Sequence, residues 1–264
     1  MVGETALSAE TQREMESLIA EIANRNDRRL FYSLYPDEGP FARHLYAKHL
    51  EFFKAGAKYR ERSFMAANRV GKTVGGGGYE TCVHCTGLYP DWWEGRRWDR
   101  PVAAWAAGKT NETTRDILQR KLLGKITGQG TVHKGVDGTG LIPGELLGKP
   151  NWKQGVADFI DTIPVLHKPT GKWSVLGFKS YQQGAGSFEG TEQDVIWLDE
   201  ECPMEIYGEC LIRTAAIASL PDSGGIIMLT FTPRLGLSEV VLSFMPKEVH
   251  PGFGEDMAIR TDLG

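Results

Sequence analysis

Two short stretches of this sequence carry residue types that handle phosphate and water. The first is Phe64-Met65-Ala66-Ala67-Asn68-Arg69-Val70-Gly71-Lys72-Thr73. A short strand is expected to lead into it and a helix to open from it, which is the setting a phosphate-binding loop requires. Gly71 lets the backbone wrap closely around phosphate oxygens, with successive N–H groups turned inward. Lys72 would neutralise the β- and γ-phosphates, and the Thr73 hydroxyl would sit on Mg²⁺. Ala67, Asn68, Arg69, Val70, Gly71, Lys72 and Thr73 are therefore the expected nucleotide-binding loop. The usual pattern opens on a glycine where this chain has Ala66.

The second stretch is Asp194-Val195-Ile196-Trp197-Leu198-Asp199-Glu200-Glu201. Four apolar residues read as a buried strand that carries Asp199 to its carboxyl end, beside the phosphate loop, where it can hold Mg²⁺. Glu200 follows at once and is placed to activate the attacking water as general base. A GKT loop followed by this strand points to ATP as the ligand, and adjacent Asp and Glu favour a hydrolase over a kinase. A third stretch, Ile226-Ile227-Met228-Leu229-Thr230-Phe231-Thr232-Pro233-Arg234, is an apolar strand ending in hydroxyls. Thr230 and Thr232 are expected to report the state of the γ-phosphate to a mobile element.

These residues need a scaffold that brings three strand ends together. Arg62–Ala67, Pro101–Ala107, Lys172–Ser180, Asp194–Asp199 and Gly225–Phe231 read as strands. Lys72–Thr86 and Asn111–Leu123 read as helices between them. Short apolar strands interleaved with helices predict an α/β fold with a mostly parallel sheet covered on both faces. Ahead of it, Ser8 to about Asn26 and His44–Lys54 read as helices, and Gly124–Pro150 as an irregular insertion. The expected organisation is an N-terminal helical appendage over 1–56, an ATPase domain over 57–245, and a tail over 246–264.

Composition narrows the classes further. A net charge of −4 rules out a protein that coats nucleic acid through its overall field, so a DNA contact needs a local basic patch. The first residues lack the apolar core of a signal peptide, and no apolar run approaches membrane-spanning length, so a cytoplasmic setting and no membrane contact are expected. Cys82-Val83-His84-Cys85 has the spacing of half a zinc site, but no second pair completes it. Both cysteines are expected as small apolar helix residues.

Taken together, Ala67–Thr73, Val195–Glu200 and Thr230–Pro233 resemble the Walker A, Walker B and coupling motifs of the large terminase subunits of tailed double-stranded DNA phages. Tyr89–Trp98, Ala106–Thr110 and the lead-in Leu45–Ala57 are also similar to that family. The resemblance implies a P-loop ATPase of the additional-strand, catalytic-glutamate type. It further implies a homo-oligomeric ring on the portal protein of a procapsid, drawing in double-stranded DNA delivered by a small terminase subunit, in the host cytoplasm. The family's nuclease half is not matched within this chain, so no DNA cleavage is expected of it. Arg69 is the expected catalytic arginine in cis. Arg96 and Arg97 are candidates for an arginine supplied in trans or for a contact to DNA phosphate. Where many members carry Arg-Gly before the Walker B strand, this chain has Ser187-Phe188-Glu189-Gly190. The alternative is a helicase-like, nucleic-acid-stimulated ATPase. Such enzymes close two motor lobes around nucleotide, and 264 residues leave no room for the second.

Overall fold

The computed structural model describes residues 9–27, 30–128, 134–216, 224–233, 236 and 238–245. The expected tail over 246–264 and Ser8, the expected start of the first helix, lie outside them. In chain order, α1 (Ala9–Asp27), α2 (Leu30–Ser33) and α3 (Ala47–Ala55) precede β1 (Glu61–Met65). A π-helical segment, Lys72–Gly78, runs directly into α4 (Tyr79–Thr86), and β2 (Ala103–Gly108) follows. The next helix is built of α5 (Asn111–Thr113), a π-helical segment (Thr114–Gln119) and α6 (Arg120–Leu123). The strands β3 (Ile126–Thr127) and β4 (Gly135–Val136) pair with each other alone. After them come β5 (Asn151–Trp152), β6 (Ile160–His167), β7 (Lys172–Ser180), β8 (Val195–Asp199), α7 (Met204–Arg213), β9 (Ile226–Phe231) and α8 (Glu239–Ser243). None of the described helices is long and apolar enough to cross a membrane.

The main sheet has seven strands in the order β1-β9-β8-β2-β7-β6-β5. The pairs from β1 through β7 are parallel, and the two that add β6 and β5 are antiparallel. One strand, β9, is thus inserted between the strand leading to Gly71-Lys72-Thr73 and the strand ending in Asp199. That insertion is the additional strand of the expected fold class. Register sets Asp199 beside Thr230 and Met65 beside Phe231, so three candidate stretches end at one edge of the sheet.

Strand alternation divides the core in two. Val195, Trp197, Ile226 and Met228 face a cluster with Phe31, Phe52, Phe53, Tyr79, Cys82 and Trp93. Ile196, Leu198, Ile227, Leu229 and Phe231 face the other side, against Ile206, Tyr207, Cys210, Val240 and Val241. Residues of α2 and α3 therefore pack into the same core as the helix that follows the phosphate loop.

Three sequence expectations need correction. Lys72–Thr86 was expected as one α-helix, but its first seven residues, Lys72–Gly78, are π-helical. The reason lies in Gly75 to Gly78, which offer no side chain to the turn, with Gly76 and Gly77 set against side chains of the sheet. A Cβ on Gly77 would stand 2.0 Å from Trp197 Nε1, so only a bare backbone fits there. Asn111–Leu123 likewise carries a π-helical centre. The strand Ile160–His167 was not expected at all, because Pro164 interrupts its pattern. Proline is tolerated there because the segment beside it, Leu147–Gly148, gives a hydrogen bond to Pro164 O, from Gly148 N–H at 2.8 Å, and no bond among the described residues asks for a donor at the proline nitrogen.

Candidate nucleotide-binding site

Two left-handed residues reverse the chain after β1. Arg69 has φ 64° and Gly71 φ 82°. Gly71 takes this conformation without penalty, whereas a bulky side chain at Arg69 stores strain of the kind concentrated at ligand loops. Arg69 is exposed and makes no hydrogen bond or ion pair among the described residues.

Lys72 is buried, and its ammonium turns back into its own loop. Nζ donates to Ala66 O at 2.9 Å, to Ala67 O at 2.6 Å and to Thr232 Oγ1 at 3.0 Å. All three acceptors are neutral oxygens, so these bonds hold the ammonium at the mouth of the helix without neutralising it. An ammonium and a run of N–H groups at a helix start are the donors that suit a phosphate chain. The Thr232 hydroxyl also lies 2.8 Å from Ala66 O and 2.9 Å from Asn68 Oδ1, tying the end of β9 to the start of the loop.

Across from Lys72, Asp199 is 5% exposed and is met by two hydroxyls. Thr73 Oγ1 donates to Asp199 Oδ1 at 3.1 Å, and Thr230 Oγ1 donates to the same oxygen at 2.6 Å. Trp197 Nε1–H donates in turn to Thr230 Oγ1 at 2.7 Å. Burial pushes the Asp199 carboxyl up to about 7, Thr230 opposes the shift, and the neighbouring Glu200 adds to it. The Thr73 hydroxyl and the nearby Lys72 charge also favour the ionised carboxylate, and a bound cation would favour it further. A hydroxyl and a carboxylate 3.1 Å apart are the hard oxygen donors that suit Mg²⁺. Thr230 is thus turned onto Asp199, while Thr232 is the strand-end hydroxyl that faces the loop.

Glu200 turns the chain away from β8 with φ 65°. Its N–H donates to Thr230 O at 3.0 Å, and the Tyr181 hydroxyl donates to the neighbouring Asp199 O at 2.8 Å. The exposed Glu200 side chain lines a cavity of about 380 Å³ with Lys109, Thr113, Asp199, Glu201 and Thr232. Tyr181, Trp197 and Lys109 were not singled out from the sequence. Lys109 had a signal, since it falls within Ala106–Thr110, a stretch similar to the terminase family, just after an expected strand. Tyr181 and Trp197 had none, because a buried aromatic reads the same whether or not its polar atom positions a site.

Arg96 and Arg97 lie elsewhere. Arg100, close by, pairs with Asp194 at the start of β8, whereas Asp199 ends that strand. Arg100 thus marks the end of β8 opposite to Asp199, and the five-residue strand between them spans about 16 Å. The Arg96 guanidinium lies 4.4 Å from the Trp98 ring centroid. Arg97 lies over Tyr89 and donates to Trp93 O at 3.1 Å. Neither reaches the nucleotide site of its own chain.

Residues 63–250 match the family described as "Terminase large subunit, T4likevirus-type, N-terminal". The chain is 35% identical over 257 residues to the terminase large subunit of Salmonella phage P22, covering 90% of this chain and 47% of that protein. It thus spans about half the length of the curated relative it matches. Among solved structures, the chain is similar to an ATPase-domain mutant of the Thermus phage P74-26 large terminase. The TM-score is 0.45 at 16% identity, covering 70% of this chain and 64% of the other.

Proposed function

We propose a function from one premise: this chain belongs to the terminase large-subunit family. It is the ATP-hydrolysing motor part of a DNA-packaging machine, splitting ATP to ADP and phosphate and driving double-stranded DNA into a procapsid. The observation that carries the reading is the meeting of Lys72, Thr73, Asp199 and Thr232 at one strand-end edge, with Glu200 beside them. Lys72 and the N–H groups of residues 67–73 hold the phosphate chain. Thr73 and Asp199 hold Mg²⁺, which when bound offsets phosphate charge and orients its oxygens. Glu200 takes a proton from the attacking water, and Arg69 meets charge on the γ-phosphate from within the same chain.

The assembly that fits this reading is a homo-oligomeric ring on the portal protein, supplied with DNA by a small terminase subunit in the host cytoplasm. Arg96 and Arg97, close in sequence to Arg100 at the far end of β8, are assigned to contacts outside their own chain: DNA phosphate or the site of a neighbouring subunit. The test is phosphate release measured with Mg²⁺, with and without double-stranded DNA and portal-bearing procapsids. Stimulation by both is expected. No DNA cleavage is expected with Mg²⁺ or Mn²⁺. Turnover indifferent to DNA, or transfer of phosphate to an acceptor molecule, would contradict the motor reading.

Thr232 separates coupling from binding. Its hydroxyl joins β9 to the loop and to Lys72, so it changes partners when Lys72 turns to phosphate. Thr232→Ala is expected to leave ATP affinity within about threefold of the parent while DNA packaged per ATP hydrolysed falls further. Equal losses in affinity and packaging would reduce Thr232 to a structural tie.

A further inference from the structure

Two buried side chains from the segment ahead of β1 reach the phosphate loop from outside it. Tyr35, after α2, is 4% exposed, and His49, on α3, is 5% exposed. His49 Nε2 lies 2.9 Å from Val70 O, which can only accept, so Nε2 carries the proton of that bond. His49 Nδ1 lies 2.6 Å from the Tyr35 hydroxyl, and the same hydroxyl lies 2.7 Å from Gly75 O. The single tyrosine proton is shared between Nδ1 and the Gly75 carbonyl. A continuous array therefore runs from Val70, just before Gly71, to Gly75, just after Lys72 and Thr73.

Three further observations show that the loop and this array are built to each other. A Cβ on Gly71 would stand 3.1 Å from His49 Cε1, and one on Gly75 would stand 2.6 Å from the Tyr35 hydroxyl oxygen. Two glycines of the loop and its first helical turns are thus the space that the array fills. Tyr35 has φ 60°, a strained conformation for a bulky residue that persists only where the surroundings over-determine it. Its ring is wedged edge-on against Tyr46, Phe53, Tyr79 and Trp92, with centroids 5.0 to 5.8 Å apart. Finally, the bonded carbonyls belong to a loop and a π-helical segment, where backbone geometry is least self-supporting.

We propose that Tyr35 and His49 are positioning residues that clamp the phosphate loop from both flanks and so set nucleotide affinity, leaving the chemical step to Glu200 and its neighbours. The inference rests on the nucleotide-binding reading above. Neither residue touches phosphate. Each acts through the backbone of Val70 and Gly75, whose placement fixes where the Gly71–Thr73 N–H groups and the Lys72 side chain point. Burial pushes the His49 imidazole below its ordinary value, so the ring is neutral near pH 7 and its one N–H is committed to Val70.

The test uses the full chain with Tyr35→Phe, which keeps the ring packing and removes the hydroxyl, and with His49→Gln. MgADP binding, steady-state ATP hydrolysis and the melting temperature without nucleotide are measured for each. The Kd for MgADP and the KM for ATP are expected to rise about fivefold to tenfold, with kcat within about twofold of the parent. The double variant is expected to lose no more than about twofold beyond the worse single one, since both residues act through one array. A merely structural role would lower the melting temperature and the active fraction without moving Kd or KM. MgADP affinity unchanged in both variants, or kcat falling at constant KM, would overturn the clamp. So would failure of both variants to fold, which would assign the pair to the core alone. A parent chain that does not bind MgADP would instead sink the nucleotide-binding reading itself.

Discussion

Glu200→Gln is expected to lower ATP turnover by about two to four orders of magnitude while leaving ATP affinity within about threefold of the parent. The amide keeps the size and reach of the carboxylate but cannot take a proton from water. The backbone that presents it does not depend on that charge: the Glu200 N–H is held by Thr230 O, and Asp199 O by the Tyr181 hydroxyl. Loss of turnover should therefore come without loss of fold. Lys72→Ala provides the contrast, because it removes a charge that donates to the loop carbonyls Ala66 O and Ala67 O. Its first effect is expected on binding, with a Kd for ATP raised at least about tenfold. Single-turnover phosphate release and equilibrium binding separate the two. A Glu200→Gln chain that turns over at the parental rate would remove Glu200 from the chemical step.

Glu80→Ala is expected to destabilise the fold by about 3–5 kcal/mol, because it strands a buried arginine. Glu80 is 0% exposed on α4, and Arg62, on β1, is 5% exposed. Their bidentate pair has contacts of 2.6 and 3.0 Å. Arg62 Nη1 also donates to Phe52 O at 2.6 Å, and His84 Nε2 lies 3.2 Å from Glu80 Oε1. Burial pushes the Glu80 carboxyl up, but Arg62 and His84 outweigh it and hold the group below its ordinary value. The sign follows: a depressed carboxyl contributes stability that is present above its unfolded value and lost as pH falls through the folded one. Stability should thus fall on acidification below the ordinary carboxylate range, and Glu80→Ala should flatten that dependence. The double variant Arg62→Met with Glu80→Leu should recover most of the loss, since paired apolar side chains leave no orphan charge. Urea unfolding at several pH values reads all three. A single Glu80→Ala loss below about 1 kcal/mol would show that water reaches the pair.

The phosphate-handling residues were legible in the sequence because their work is local. Gly71, Lys72 and Thr73 act through consecutive backbone and side-chain groups at a strand-to-helix turn, and an apolar run ending in Asp199-Glu200 can place its acids only at a strand end. The doubly covered sheet was legible for the same reason: each strand shows its own apolar pattern, as in Val195–Asp199, where every residue is buried. The π-helical start of the helix was not, because Gly75 to Gly78 are read as a weak helix until Trp197 is set against Gly77. Strand Ile160–His167 was hidden by a proline whose tolerance depends on a neighbour that donates to its carbonyl and needs no donor from it. Tertiary structure alone decided that Thr230 serves Asp199 while Thr232 serves the loop: Thr230 lies within β9 beside Asp199, whereas Thr232 follows the strand's last residue and meets Ala66 and Lys72. It alone brought Tyr35 and His49 to the flanks of the phosphate loop, across 40 and 21 residues of chain. Contacts closed over such separations leave no periodicity or spacing in the sequence, because the residues that make them are chosen by the space they must fill.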